Sequence, residues 1–480
     1  MKSVQVNQIS LLSLLAFWAF AGVISFILVI NNQITYSLLF VLFIVLSSYF
    51  IIEKKIVLFN PFTLFILYSY SVILATLYLY TSRFENTQFI TEQSFSMDLF
   101  ELLNITLIYI IVSYIFAYLG YKTFKKDFEP NIDLYNDGIS LKVVNIVIVV
   151  FAILSIINFS YNIFVFAGGN PFVYMENVST RHLEFESTGG TTLFYLMGYV
   201  AGYLWLYKLL KEGKKISTSL FFIFFVLLTI FMKATTGRIF GTLSYFLSYF
   251  VIYYFVNFEI ESKNNKKYFI AILILMISGL FFYFFRITSS LAYNNQLSAD
   301  FITTIFEFVN FDSLMYYAVD KGNIPNVSVL MKIIDGWGDE IPFLYGESLF
   351  TWVYGILPSS IRPEGYQPSV MIKEVWYSHI RGGALPPMGM GEMFSNFWYF
   401  GSVFGMFIFG ALVAFIYNLL DKFNNYWYLV MFANISVGFI LLYAKGEFDN
   451  LTFWHIIPIG MTYLLLIFLT KLSRKKTNEN

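Results

Sequence analysis

His379-Ile380-Arg381-Gly382-Gly383-Ala384-Leu385-Pro386-Pro387-Met388-Gly389-Met390-Gly391-Glu392 closes the stretch Ile287–Phe397, which separates two sets of apolar segments. Connections this long without a spanning segment of their own are uncommon and usually functional. Its reading decides the architecture: a large loop on one face of a membrane, with spans before and after it. Trp337, Trp352 and Trp376 lie within it and Trp398 at its edge, half of the chain's eight tryptophans.

Composition agrees. Of 480 residues, 58% are hydrophobic and 12% charged, with mean hydropathy +0.68. Soluble domains carry about 25% charged residues, so the chain reads as a polytopic membrane protein. Twelve segments are long and apolar enough to cross as helices, at about 9–31, 35–52, 62–80, 98–120, 142–166, 191–210, 217–234, 239–257, 268–286, 398–420, 426–444 and 451–471. The first reads as a retained span and not a removed signal peptide. The expected fold is all-α: residues 1–286 form nine transmembrane helices with short loops, and 287–397 form a large extracytoplasmic loop with short interfacial helices. Residues 398–480 supply the last three helices and a basic cytoplasmic tail. There is no cysteine, hence no disulfide framework and no thiolate chemistry.

Lysine and arginine set the orientation. With the N-terminus cytoplasmic, Lys54/Lys55, Lys122/Lys125/Lys126, Lys208/Lys211/Lys214/Lys215, Lys263/Lys266/Lys267, Lys422 and the tail all fall inside, as do both termini. The split by residue type is more informative. Six of the seven arginines fall outside (Arg83, Arg181, Arg238, Arg286, Arg362 and Arg381), whereas 18 of the 23 lysines fall inside. Lysine suffices to fix topology. Guanidinium groups additionally form planar bidentate hydrogen bonds to phosphate and carboxylate. Pairing with the outer loops' acidic residues is the alternative for any one of them.

The outer segments hold the candidate chemistry. Glu184-Phe185-Glu186 is too isolated to specify a metal, and no metal is expected. Thr235-Thr236-Gly237-Arg238 and Phe284-Phe285-Arg286 place guanidinium groups at span edges, where snorkelling is the competing explanation. Residues 300–320 show helical spacing (Phe301, Ile305, Phe308, Val309, Met315, Tyr316), expected of an interfacial helix. Gly346–Leu357 is apolar but too short to cross. Arg362 sits between Pro358 and Pro363, and Lys445-Gly446-Glu447-Phe448-Asp449-Asn450 returns to the same face. All three histidines (His182, His379, His455) fall on this side. The cytoplasmic connections carry no Gly-rich phosphate loop, so any chemistry is expected to be extracytoplasmic and not driven by ATP.

For a substrate supposed to be a sugar linked to a polyprenyl pyrophosphate, glycosyl transfer needs a stabilised leaving group and a general base. Arg238, Arg286, Arg362 and Arg381 could stabilise charge developing on the departing pyrophosphate. His379, Glu392 and Asp449 are candidate general bases for the acceptor hydroxyl. Trp352, Trp376 and Trp398 offer faces to sugar rings, although interfacial girdling also favours tryptophan.

The run Leu385–Gly410, with Pro386-Pro387-Met388-Gly389-Met390-Gly391-Glu392 followed by Asn396, Gly401, Gly405 and Gly410, resembles the C-terminal part of Wzy-type oligosaccharide repeat unit polymerases. Thr236-Gly237-Arg238-Ile239-Phe240 is similar to a mid-chain segment of that family. The resemblance implies a GT-C-like glycosyltransferase of the bacterial inner membrane. It would join undecaprenyl-pyrophosphate-linked oligosaccharide repeat units at the outer face and release undecaprenyl pyrophosphate, without cofactor, nucleotide sugar or metal. By that resemblance Arg238 and Arg381 are the first candidates for pyrophosphate contact. The expected partners are the lipid-linked oligosaccharide and the bilayer, with a chain-length regulator as a further candidate and no nucleic acid. An O-antigen ligase is the nearest enzymatic alternative. A flippase or transporter of the lipid-linked oligosaccharide is the alternative of another class, which internal repeats and broken spans would favour.

Overall fold

The computed structural model describes residues 19, 22–30, 33–53, 56–85, 88–134, 138–169, 189–214, 219–234, 239–263, 266–268, 270–271, 326–351, 367–378, 385–445 and 449–478. Among the described residues there is no β-strand, only two isolated bridges, Asp133 with Asn425 and Trp337 with Ile341. Besides a helical stretch over 22–30, the longer helices among the described residues are α1 (Ile34–Ile52), α2 (Pro61–Thr81), α3 (Leu99–Phe124), α4 (Leu141–Ala167), α5 (Gly189–Lys211), α6 (Leu220–Ala234), α7 (Ile239–Val256), α8 (Val327–Gly336), α9 (Pro368–Trp376), α10 (Met388–Phe397), α11 (Met406–Lys422), α12 (Tyr426–Lys445) and α13 (Asp449–Asn478).

Helices occupy ten of the twelve expected spans, namely α1 to α7 and α11 to α13. Five segments among the described residues are long and apolar enough to cross a membrane: α1, α2, α3, Leu141–Val165 of α4, and Gly401–Lys422. Shorter apolar helices run over Leu220–Met232 and Tyr245–Val256. Of the expected span 9–31 the structure describes residue 19 and a helix over 22–30. The span 268–286 and the expected interfacial helix at 300–320 lie outside the described residues, apart from a few positions at 268–271. On α4, Ile146, Val149, Val150, Ile153, Ile157 and Phe164 are all exposed. A helix that leaves so much aliphatic surface uncovered is built for lipid. The chain is an all-α membrane protein.

Local chemistry sets the helix ends. Asn60 accepts the Phe62 N–H at 2.9 Å ahead of Pro61, which opens α2. Asp98 accepts the amides of Phe100 and Glu101 at 3.0 and 3.1 Å and starts α3. Gly168, at φ 58°, closes α4 in the left-handed region.

The tightest crossing joins α3 to α11. A Cβ on Gly410 would lie 1.9 Å from the Ala117 carbonyl oxygen, and one on Gly120 would lie 2.0 Å from that of Phe407. The two backbones touch, as small residues allow where lipid supplies no hydrophobic drive between helices.

Opposite ends of α3 carry opposite chemistry. At its C-terminal end, Lys122 and Lys125 bind Glu53 at 3.1 and 2.5 Å. Burial alone would raise the Glu53 carboxyl pKa, but the hydrogen bonds and charges of Lys125 and then Lys122 outweigh it and hold it below the usual value. At its N-terminal end, the 93–98 linker meets α8 and α9, two helices that the sequence reading left inside a loop.

Candidate functional site

Three short helices, α8, α9 and α10, build the described part of the large loop. Every residue of α10 from Met388 to Asn396 is buried, and α8 is buried along nearly its whole length. α8 and α10 are sunk into the bundle, whereas α9 buries one face and exposes Val370 and Val375 on the other. The Tyr109 hydroxyl donates to the Met390 carbonyl at 2.9 Å, and Tyr109 lies about 15 Å along α3 from Leu99 at 1.5 Å per residue.

The glycines quoted above make this packing possible. A Cβ on Gly391 would meet Ile333 Cδ1 of α8 at 2.9 Å, and one on Gly401 would lie 2.2 Å from the Met393 carbonyl oxygen. One on Gly405 would lie 2.6 Å from the Met393 sulfur. α10 therefore folds back on a π-helical turn, Gly401–Gly405, that leads into α11. The reversal takes Trp398 to φ 55° and ψ −146°, and Met388 at the other end of α10 has φ 61°. For side chains larger than glycine such conformations cost about 1–3 kcal/mol each and concentrate at functional sites.

Glu392 projects from α10 with no exposed surface. Ser348 Oγ donates to its Oε1 at 2.9 Å, and Asn396 Nδ2 donates to Ser348 Oγ at 2.7 Å. Asn396 Oδ1 in turn accepts the Gly346 N–H at 2.8 Å. Ser348 belongs to a single 3₁₀ turn, Glu347–Phe350, which is what the short apolar run at Gly346 forms before it leaves the described residues. The carboxylate fixes the Ser348 hydroxyl, and Asn396, bonded to that hydroxyl and to Gly346, seats the turn on α10 beside it.

A second polar cluster went unrecognised in the sequence. Lys332 on α8 is 2% exposed. Its ammonium donates to Glu340 at 2.8 Å and to the Ser94 carbonyl at 2.9 Å, with Asp335 at 3.6 Å. It lies over the rings of Phe95 and Trp376, at 5.5 and 5.2 Å. Asp335 accepts from the Ser96 amide and hydroxyl at 3.1 and 2.5 Å. Trp376 Nε1 donates to Glu340 at 2.6 Å, and its carbonyl accepts from Gln93 at 2.8 Å. The available signal was a single lysine set in an apolar helical run, with an aspartate three residues on.

The candidate residues therefore fall into distinct groups. Trp376 is buried, with its indole N–H, its carbonyl and a ring face engaged within the protein. Trp398 is half exposed, and Asp449 opens α13 with its side chain outside the described set. Arg238, Arg286, Arg362, Arg381, His379 and Trp352 all lie outside the described residues. The described residues contain no group of three or more acidic, histidine or cysteine side chains arranged to hold a metal. No protein-family model, curated protein or solved structure matches the chain.

Proposed function

We propose that the chain is a membrane glycosyltransferase that joins undecaprenyl-pyrophosphate-linked oligosaccharide repeat units, releasing undecaprenyl pyrophosphate at the outer face of the bacterial inner membrane. The observation that carries this reading is the polarity of α3. Lys122, Lys125 and Glu53 stand at one end, and α8 with its Lys332 and α9, which lies between Arg362 and Arg381 in sequence, stand at the other. Inward lysine and outward guanidinium are what an extracytoplasmic pyrophosphate site needs. Arginines held there would stabilise the leaving pyrophosphate, while His379 or Asp449 takes the proton of the acceptor hydroxyl. Glu392, enclosed by Ser348, serves in this scheme as a positioning residue.

A second reading, transport of the same lipid-linked oligosaccharide, draws on α8 and α10. Helices of ten residues buried inside a bundle are a feature of transporter sites. A deletion strain separates the readings. Loss of a polymerase leaves surface lipid capped by one repeat unit, loss of a ligase leaves it bare, and loss of a flippase strands the repeat units on the cytoplasmic leaflet. Either of the last two outcomes refutes the proposal.

A further inference from the structure

The reversal at Trp398 turns a run of aromatic side chains outward. Trp398 is 51% exposed, and Phe400 and Phe404 after it are also exposed. Their rings follow one another at 6.5 Å (Trp398 to Phe400) and 6.4 Å (Phe400 to Phe404). The series continues at helical spacing through the exposed Ile408 and Phe415, on the face that Gly401–Lys422 would turn to lipid. A second strand of chain joins it. Leu344 N–H donates to the Ser395 carbonyl at 3.0 Å, and a Cβ on Gly346 would stand 3.4 Å from the Phe397 ring. That places Tyr345 beside the aromatic run. Tyr345 is 83% exposed, has φ 48°, and precedes the turn that exposes Phe350.

Two non-glycine residues in the left-handed region, Tyr345 and Trp398, thus present aromatic side chains to the outside of one patch. The buried Glu392–Ser348–Asn396 network holds the backbone beneath them. From this geometry we infer that the patch is a foot seated in the bilayer interface, and that its partner is the headgroup–acyl boundary of the lipid. The occupant follows from continuity: the patch runs without interruption into the lipid-facing side of a spanning helix. Tyrosine and tryptophan, with apolar rings and polar tips, are the side chains that settle at that depth. Glu340, on the same loop segment but in the Lys332 cluster, and its neighbour Asp339 are exposed, and their charge assigns them to the aqueous side.

The absence of cysteine makes the test direct. Single-cysteine variants of the full chain at Tyr345, Phe350 and Phe400 are spin-labelled and reconstituted in phosphatidylglycerol–phosphatidylethanolamine vesicles. Ile408→Cys provides the lipid reference and Asp339→Cys the aqueous one. Collision rates with oxygen and with a water-soluble nickel chelate report depth. The expected result is that labels at 345, 350 and 400 favour oxygen over nickel severalfold relative to the label at 339, and lie shallower than 408. Labels at 345 and 350 that match 339 overturn the inference, as do labels shielded from both reagents, which would indicate a protein partner or second copy. The readout does not involve turnover, so it stands or falls separately from the proposed reaction.

Discussion

Replacing Lys332 by methionine tests whether the cluster at the N-terminal end of α3 holds the buried helices in place. Methionine keeps most of the volume and the apolar stem but removes the ammonium that Glu340, Asp335 and the Ser94 carbonyl share. Removing one partner of a buried ion pair costs about 3–5 kcal/mol, because the remaining charge is left uncompensated. Of the two carboxylates only Asp335 is buried, Glu340 being 44% exposed, and Ser96 still donates to Asp335 and Trp376 to Glu340, which places the loss near the lower limit, about 3 kcal/mol. At 1.4 kcal/mol per decade, local opening becomes about 100-fold more populated. Hydrogen exchange read on the peptide spanning Val327–Gly336 reports that opening without assuming that the whole bundle melts in one step. Its slowest amides are expected to exchange about 100-fold faster in Lys332→Met. The triple variant Lys332→Met/Asp335→Asn/Glu340→Gln, which leaves no uncompensated charge, recovers most of the protection. Unchanged protection in the single variant refutes the argument, as does a triple variant no better than the single.

Three further outcomes follow from the same geometry. Gly410→Val forces apart backbones whose Cβ-to-oxygen gap is 1.9 Å and should lower the melting midpoint in detergent sharply, whereas Gly460→Ala, which meets nothing within 4 Å, should leave it unchanged or raise it. The Glu53 pKa is lowered in the folded state, so its contribution to stability is complete above the unfolded pKa of about 4.3 and disappears as pH falls through the folded value. Glu53→Gln should flatten the acid limb of a stability–pH profile and leave the slope of its neutral side unchanged. Glu392→Gln keeps an acceptor for Ser348 and should retain most turnover, while Glu392→Ala unseats the 3₁₀ turn and should lose it; equal loss in both would instead make the carboxylate a base.

The long apolar helices were legible because an apolar run of about 20 residues has few alternatives to a helix. Asn60-Pro61 and Asp98 likewise announce helix starts locally. The loop helices were not legible for the same reason in reverse. Ten residues such as Val327–Gly336 carry too few turns to separate a helix from an apolar strand or loop, and what stabilises them is tertiary burial. Lys332 reads as a solvated charge until the 93–98 linker, far away in sequence, is brought beside it. Gly391, Gly401, Gly405 and Gly410 stood out in the sequence as a motif. Their packing role appears only once Ile333, Met393 and Ala117 are seen against them. Trp376 and Trp398 look alike in sequence, and the difference in their burial comes from which neighbours the fold supplies.

The central claim is that guanidinium groups on the extracytoplasmic face carry a pyrophosphate away from a saccharide. Purified protein in liposomes, given a synthetic undecaprenyl-pyrophosphate repeat unit and no nucleotide, should produce a ladder of products on a gel. Arg381→Ala and Arg238→Ala should each reduce it by orders of magnitude, with the lysine variants retaining part. A wild-type preparation that yields no ladder contradicts the activity; ladders undiminished in both alanine variants contradict the assignment of the site.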